Sequence, residues 1–327
     1  MSKLKSQPAD MVVGPCTSCE INQLIKPIII GTTVDPVIVE GDPYTPWRDP
    51  LLNKLVEAPD QDANIEILES AETGLVNGTN IFLFGDDIKF GVDRKPTEAN
   101  VDVSEAGWFS DDTKEEVLLD RVDELVDIFA TYDFDGVAKR IFDKMFKDKS
   151  SKVRYHQDQA LDMIASKHGH IEDFMENAMR QKGRRRIHDA LKQADWDINQ
   201  IDPVTRMGLV PAFDHTLKLT PLWMFNTGDG TNGLSIAVNS IQHVIMVATG
   251  YHYNQCTKRY KLDVTYILYD VFGIDDLDII EYGADGGGWD WDASKGIMAW
   301  WQLQHQHNYA PLITRMEFKK SYDIEAK

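Results

Sequence analysis

The sequence predicts an α+β fold: an extended, short-strand N-terminal segment, a helical middle, and a C-terminal antiparallel sheet with a covering helix. Three observations predict it. Residues 1–100 are rich in Pro, Gly, Thr and β-branched residues and carry few helix signals. Residues 101–200 place apolar side chains at helical spacing. Residues 201–327 alternate apolar and polar side chains along β-branched runs, interrupted by a helical pattern.

In the first region, "PIIIGTTVDPVIVEGDPYTPW" holds two apolar runs broken by Asp-Pro. "TNIFLFGDDIKFGVD" repeats the arrangement, with Ile88 and Phe90 alternating with charges. Both read as short strands and extended coil that wrap on the rest of the protein or on a partner.

The middle region opens with "DDTKEEVLLDRVDELVDIFATY". Val117, Leu118, Val122, Leu125, Val126 and Phe129 form one apolar stripe. Asp112 and Glu115 have the spacing of a capping box. A second helix follows Asp135-Gly136, with Val137, Ile141 and Met145 on one face. Gly169 and Gly183 are read as the stops of two further helices, before "RRRIHDALKQADW". Charge divides here. Residues 97–135 hold 13 acidic and 2 basic side chains, whereas residues 137–192 hold 14 basic and 8 acidic ones. The simpler reading is that the two neighbouring helical faces attract each other or that each is merely solvated; the other is that the acidic helix docks a basic partner.

In the last region, "GLSIAVNSIQHVIMVATG" reads as one or two strands. "KRYKLDVTYILYDVFG" puts Tyr260, Leu262, Val264, Tyr266 and Leu268 on one face of a strand. The turn-like "GYHYNQCTKR" between them predicts an antiparallel hairpin. "SKGIMAWWQLQHQHNY" reads as a helix capped by Ser294, with Pro311 beyond its end. "LITRMEFKKSY" supplies a last strand.

The chain carries a formal net charge of −19 and a pI near 4.8. Phosphate backbones and anionic lipids repel such a surface, so no nucleic-acid partner is expected. The N-terminus lacks an apolar stretch behind its lysines, and no window is apolar enough for a spanning helix. The expectation is a cytoplasmic protein in the producing cell that leaves it only by a route needing no cleaved signal. Three cysteines argue against a disulfide framework. Cys16 and Cys19 read as unpaired thiols in preference to a redox pair or half a zinc site.

Candidate chemistry centres on "YDVFGIDDLDIIEYG", residues 269–283, which hold five acids and no base. Asp270 keeps the parity of the apolar face, so its carboxylate is expected to point inward. There it either bonds loop amides or sits at a pocket rim as a base or ligand. Asp275 reads as the cap of a short helix with Asp276 and Asp278 in its first turn. The acids do not have the spacing of a calcium loop. His243 shares the parity of Ile241, Ile245 and Val247. "ADGGGWDWDAS" offers Trp289 and Trp291 as flat faces for stacking. No metal-ligand set, nucleophile motif or cofactor fingerprint is present, so the cofactor is unknown.

"NGLSIAVNSIQHVIM", "YDVFGIDDLDI" and "AWWQLQHQHNYAPLITRMEF" resemble an uncharacterised bacterial domain family found among proteins associated with type VI secretion and related contractile injection systems. The motifs are N-G-L-x-I, a D-x-F-G-L-D-x-x-D-I loop, a W-F-x-L-Q helix and a K-P-F-x-T-N-M strand. The matching residues are Asn232, Gly233, His243, Asp270, Phe272, Gly273, Asp275, Asp278, Trp301, Gln304, Pro311 and Thr314. The chain departs from the pattern at Ala310 and in the Gly/Trp-rich insertion. The resemblance covers about the last 100 residues. It implies an antibacterial effector delivered by a contractile system, or a non-enzymatic component of that apparatus. Its partners would be a spike or tube protein of the apparatus and an immunity protein. For an enzyme, the expectation is a hydrolase of cell-envelope material. Asp270 would be base or ligand, His243 its partner, Gln304 the substrate-positioning group and Asp275 a further acid. Trp289, Trp291 and Trp301 would bind substrate.

Overall fold

A computed structural model describes residues 21–24, 27–32, 87–92, 113–133, 136–179, 186–201, 205, 209, 232–238, 241–282 and 291–327. It has the predicted α+β character. The strands are β1 (Ile21–Gln23), β2 (Ile28–Thr32), β3 (Arg154–Gln157), β4 (His243–Asn254), β5 (Arg259–Phe272) and β6 (Leu312–Glu325). The helices are α1 (Glu115–Phe129), α2 (Val137–Phe142, continued by a π-helical turn to Lys147), α3 (Gln159–Ala165), α4 (Gly169–Met179), α5 (Arg186–Gln193), α6 (Leu234–Ala237), α7 (Asp276–Tyr282) and α8 (Trp291–Gln306).

All six strands form one sheet, in the order β1-β4-β5-β6-β3, with β2 beside β1 on the same edge of β4. The expected β4–β5 hairpin is present and antiparallel. The sheet is mixed, because β3 runs parallel to β6 at the far edge. Strands from all three sequence regions therefore share one sheet. The reason is edge satisfaction: the long antiparallel β4-β5-β6 unit exposes backbone groups along β4 and β6, and the short outer strands pair with them. The wrapping expected of the "PIII" segment is this pairing with β4, and Ile30 is fully buried.

Helices cover one face of the sheet. Along it, Tyr260, Leu262, Val264, Tyr266 and Leu268 are fully buried, as their parity predicts. Phe142 of α2 and Trp300 of α8 pack on Phe272, with ring centroids 4.9 and 4.7 Å away. At the other end, Trp196 and His188 of α5 and its following turn pack on Tyr260. Helix α8 lies against α1 so closely that a Cβ on Gly296 would stand 2.6 Å from Leu125 Cβ and 3.0 Å from the Arg121 carbonyl. Only glycine permits that approach.

The opposite charges of the middle region do pair. Lys149 bonds Glu115, and Lys147 lies between Asp123 and Asp143.

Several local expectations are corrected. Helix α3 ends at Ala165, where Ser166 Oγ donates to the Met163 carbonyl; Gly169 begins α4 instead of ending α3. Ser294 lies inside α8 and is buried. The N-G-L-S-I stretch is a helical turn, not a strand, because Asn232 Oδ1 caps the Leu234 amide. Cys256, at the β4–β5 turn, is disulfide-bonded. Asp112, Gly183, Cys16 and Cys19 lie outside the described residues.

Candidate functional site

The acids of the 269–283 stretch separate by environment. Asp275 caps α7: its Oδ1 accepts from the Leu277 and Asp278 amides at 2.7 and 3.1 Å. Asp278 Oδ2 returns the bond by accepting from the Asp275 amide at 2.9 Å. This is a reciprocal cap, in which two side chains hold the first turn together. Asp276 is buried and accepts the indole N–H of Trp301 at 3.0 Å. Trp301 is itself fully enclosed, so it presents no face to a substrate. The motif F-G-I-D-x-x-D-I is to this extent a folding device.

Gln304 has the same character. Its Nε2 donates to the carbonyls of Asp87 (2.8 Å), Lys89 (2.8 Å) and Ile274 (3.1 Å). Its Oε1 accepts from the Ile274 amide at 3.2 Å. The side chain is fully buried. A primary amide has two N–H donors, so both are used, one of them shared between carbonyls. Nothing is left to orient a substrate. His305 adds a bond from its Nε2 to the Ile274 carbonyl at 2.9 Å. Gly273 makes the same junction possible, since a Cβ there would lie 2.3 Å from the Asp87 carbonyl oxygen.

His243 and Asp270 do not meet. In the β4–β5 ladder His243 stands opposite Tyr269. Directly paired residues share a sheet face and neighbours along a strand alternate. His243 is therefore on the Tyr269 face and Asp270 on the other. The Tyr269 face carries a buried polar group of its own: Arg315 Nε donates to Tyr269 Oη at 3.2 Å, and Arg315 pairs with Glu317. Burial, followed by the nearby Tyr269, keeps the Tyr155 hydroxyl protonated well above the usual tyrosine range.

Asp270 remains. It is 2% exposed, as parity predicts, and it lines a cavity at the C-terminal end of β5. The cavity's described lining includes Phe129 at the end of α1, Ser235 of α6, Asp278 of α7, and Ile297 and Trp300 of α8. About 80 Å³ inside it is open to a water-sized sphere. One such sphere needs only about 10–15 Å³, so the space takes a small chemical group. Ser235 and Trp300 are also buried, and among the described residues Ser235 Oγ and Trp300 Nε1 have no hydrogen-bond partner. Sequence reasoning missed Ser235, because the turn of α6 that carries it reads as a strand. It missed Trp300 because its neighbour Trp301 matches the motif.

Asp87, Asp275 and Asp278 bring one carboxylate oxygen each within 4.8 Å of one another. Among the described residues they are the group whose donors suit a hard cation. Two of the three already accept the backbone bonds of the α7 cap. Trp289 lies outside the described residues, as does the side chain of Trp291 at the head of α8. Among the described residues no helix is long and apolar enough to cross a membrane.

In comparisons with family models, curated proteins and solved structures, nothing matches this chain.

Proposed function

We propose that this chain is an antibacterial effector delivered by a contractile injection system of the type VI kind, and that its C-terminal domain acts on a cell-envelope target at the Asp270 cavity. One observation carries the choice of site: a carboxylate that is 2% exposed at a strand end, lining a cavity beside two further buried polar side chains. Buried carboxylates are costly and concentrate where chemistry or recognition uses them. The setting is supported by the motif resemblance of residues 232–314. It is also supported by the bonded Cys256, because disulfides persist in oxidising compartments such as the periplasm. A spike or tube protein for loading and an immunity protein for self-protection belong to this reading.

The test is expression in a bacterium with and without an added export signal. Growth arrest is expected only on export. Asp270→Asn is expected to abolish it at an unchanged melting temperature. Export without growth arrest overturns the effector reading; arrest undiminished by Asp270→Asn overturns the site.

The second reading is a non-enzymatic adaptor of the apparatus. It is favoured by the structural engagement of Gln304, Asp275 and Trp301, and by the exposed acids of α1: Glu116, Asp120, Asp123, Glu124 and Asp127. Under it, reversing Asp120, Glu124 and Asp127 to Lys breaks co-purification with the spike or tube protein, and Asp270→Asn changes nothing but stability.

A further inference from the structure

We infer that Cys256 is bonded to Cys19, that this bond is a redox latch holding β1 on the edge of β4, and that Cys16 is the thiol that exchanges with it. None of this depends on the Asp270 cavity, and only the use of the latch during delivery rests on the effector reading.

The pairing follows from count and register. The chain has three cysteines, and Cys256 is disulfide-bonded. Its partner is therefore Cys16 or Cys19, both outside the described residues. Strands β1 and β4 run antiparallel, with Ile21 opposite Asn254, Asn22 opposite Tyr253 and Gln23 opposite His252. One step back along β1 is one step forward along β4. Two further steps bring position 19 opposite position 256. Directly opposed residues of an antiparallel pair have Cα atoms about 4.5–5.5 Å apart, within the span of about 4.4–6.8 Å that a disulfide bridges. On the same ladder position 16 falls three residues farther along, about 10 Å away.

The bond sits where exchange reaches it. Cys256 is exposed in the turn between β4 and β5, and exposed disulfides are the labile, regulatory kind. Strand β1 is three residues long and pairs with β4 alone among the described strands. So short an edge strand has little of its own to keep it docked. Opening the bond frees β1 and leaves the long β4-β5-β6 ladders in place.

Closing converts two protein thiols and one small disulfide, such as glutathione disulfide, into the protein disulfide and two small thiols. Cys16 lies three positions before Cys19, the C-x-x-C spacing of exchanging thiol pairs. Its thiolate attacks Cys19 Sγ, and a Cys16–Cys19 bond forms as the Cys19–Cys256 bond breaks. The electron pair leaves on Cys256 Sγ, which takes up a proton in place of the one Cys16 lost. No oxidant is consumed. The latch is open in a reducing cytosol and closed in an oxidising compartment.

The experiment is peptide mapping of the full chain without reduction, after oxidation by glutathione disulfide and blocking of free thiols. A Cys19–Cys256 linked peptide is expected, with the blocking group on Cys16; fragmentation separates the two, which share one tryptic peptide. Linkage of Cys256 to Cys16 or to a second chain, or a free Cys256, overturns the pairing. Hydrogen exchange reads the latch. Reduction, or Cys19→Ser, is expected to speed exchange of the Leu24 amide, which donates to the Tyr251 carbonyl, by about 10-fold or more, with the β5–β6 amides unchanged. An unchanged Leu24 amide, or a rise throughout β5 and β6, overturns the latch. Pulse alkylation of the oxidised chain without added thiol reads the exchange. A labelled fraction of Cys256 is expected in wild type and none in Cys16→Ser; equal labelling overturns the role of Cys16. Growth arrest enters none of these readouts, so the latch and the effector reading fail separately.

Discussion

Gln304 and Ile274 are joined twice: the glutamine amide donates to the Ile274 carbonyl at 3.1 Å and accepts from its N–H at 3.2 Å. One side chain thus does for Ile274 what a neighbouring strand would. The same amide holds the Asp87 and Lys89 carbonyls, so α8, the loop after β5 and a segment more than 200 positions earlier in the chain meet at one group.

Gln304→Ala should therefore behave as a stability mutation. It strands buried backbone groups, and the expected cost is about 3 kcal/mol. Urea denaturation measures it. A wild-type unfolding midpoint with loss of growth arrest would instead assign Gln304 to substrate.

Asp270 and His243 should not couple. They lie on opposite faces of the sheet, so the stability effects of Asp270→Asn and His243→Ala should add within about 0.5 kcal/mol in the double variant. Growth arrest should fall with Asp270→Asn and persist with His243→Ala. A large coupling energy would revive the catalytic pair.

Gly296→Ala should loosen the α1–α8 contact. A methyl there meets Leu125 Cβ and the Arg121 carbonyl, which is backbone and cannot swing away. Overpacking of this kind costs about 1–3 kcal/mol. The melting temperature should fall although alanine is the better helix former. A rise would refute the close approach.

Asp162 should make stability fall with rising pH. Burial, the largest cause, raises its pKa from 3.8 to about 6, although the Glu317 amide bond opposes it. The folded state then holds a proton that the unfolded state releases, so stability is lost as pH rises from about 4 to about 6. His156 acts in the opposite sense. Burial lowers it from 6.5 to about 4, and its contribution is lost as pH falls through that range. Thermal melts of wild type and Asp162→Asn should diverge between pH 4 and 6, with the variant lacking the decline. Parallel profiles would refute the shift.

What the sequence by itself determined is whatever repeats locally. Parity along β5 assigned its buried face and turned Asp270 inward, because side chains alternate along a strand. The α1 stripe marked Val117, Leu118, Val122, Leu125, Val126 and Phe129 as one apolar face; Leu118, Val122 and Leu125 are buried, Val126 and Phe129 are half-buried, and Val117 is exposed. The spacing of Asp275 before "DLDIIEYG" was enough to read a helix cap.

Only the tertiary structure decided relations that depend on register and distant contacts. His243 is an inward-facing strand residue by pattern, but which face it shares with β5 depends on hairpin register and on the irregularity between Ala248 and Gly250. An extra residue at such a point reverses the facing of everything beyond it. Gln304, a polar residue in a helix, looks the same in sequence whether it greets substrate or backbone; its partners at Asp87, Lys89 and Ile274 come from remote segments. Ser235 and Trp300 become visible only when α6 and α8 close on the end of β5, because burial without a hydrogen-bond partner is a property of the packed chain.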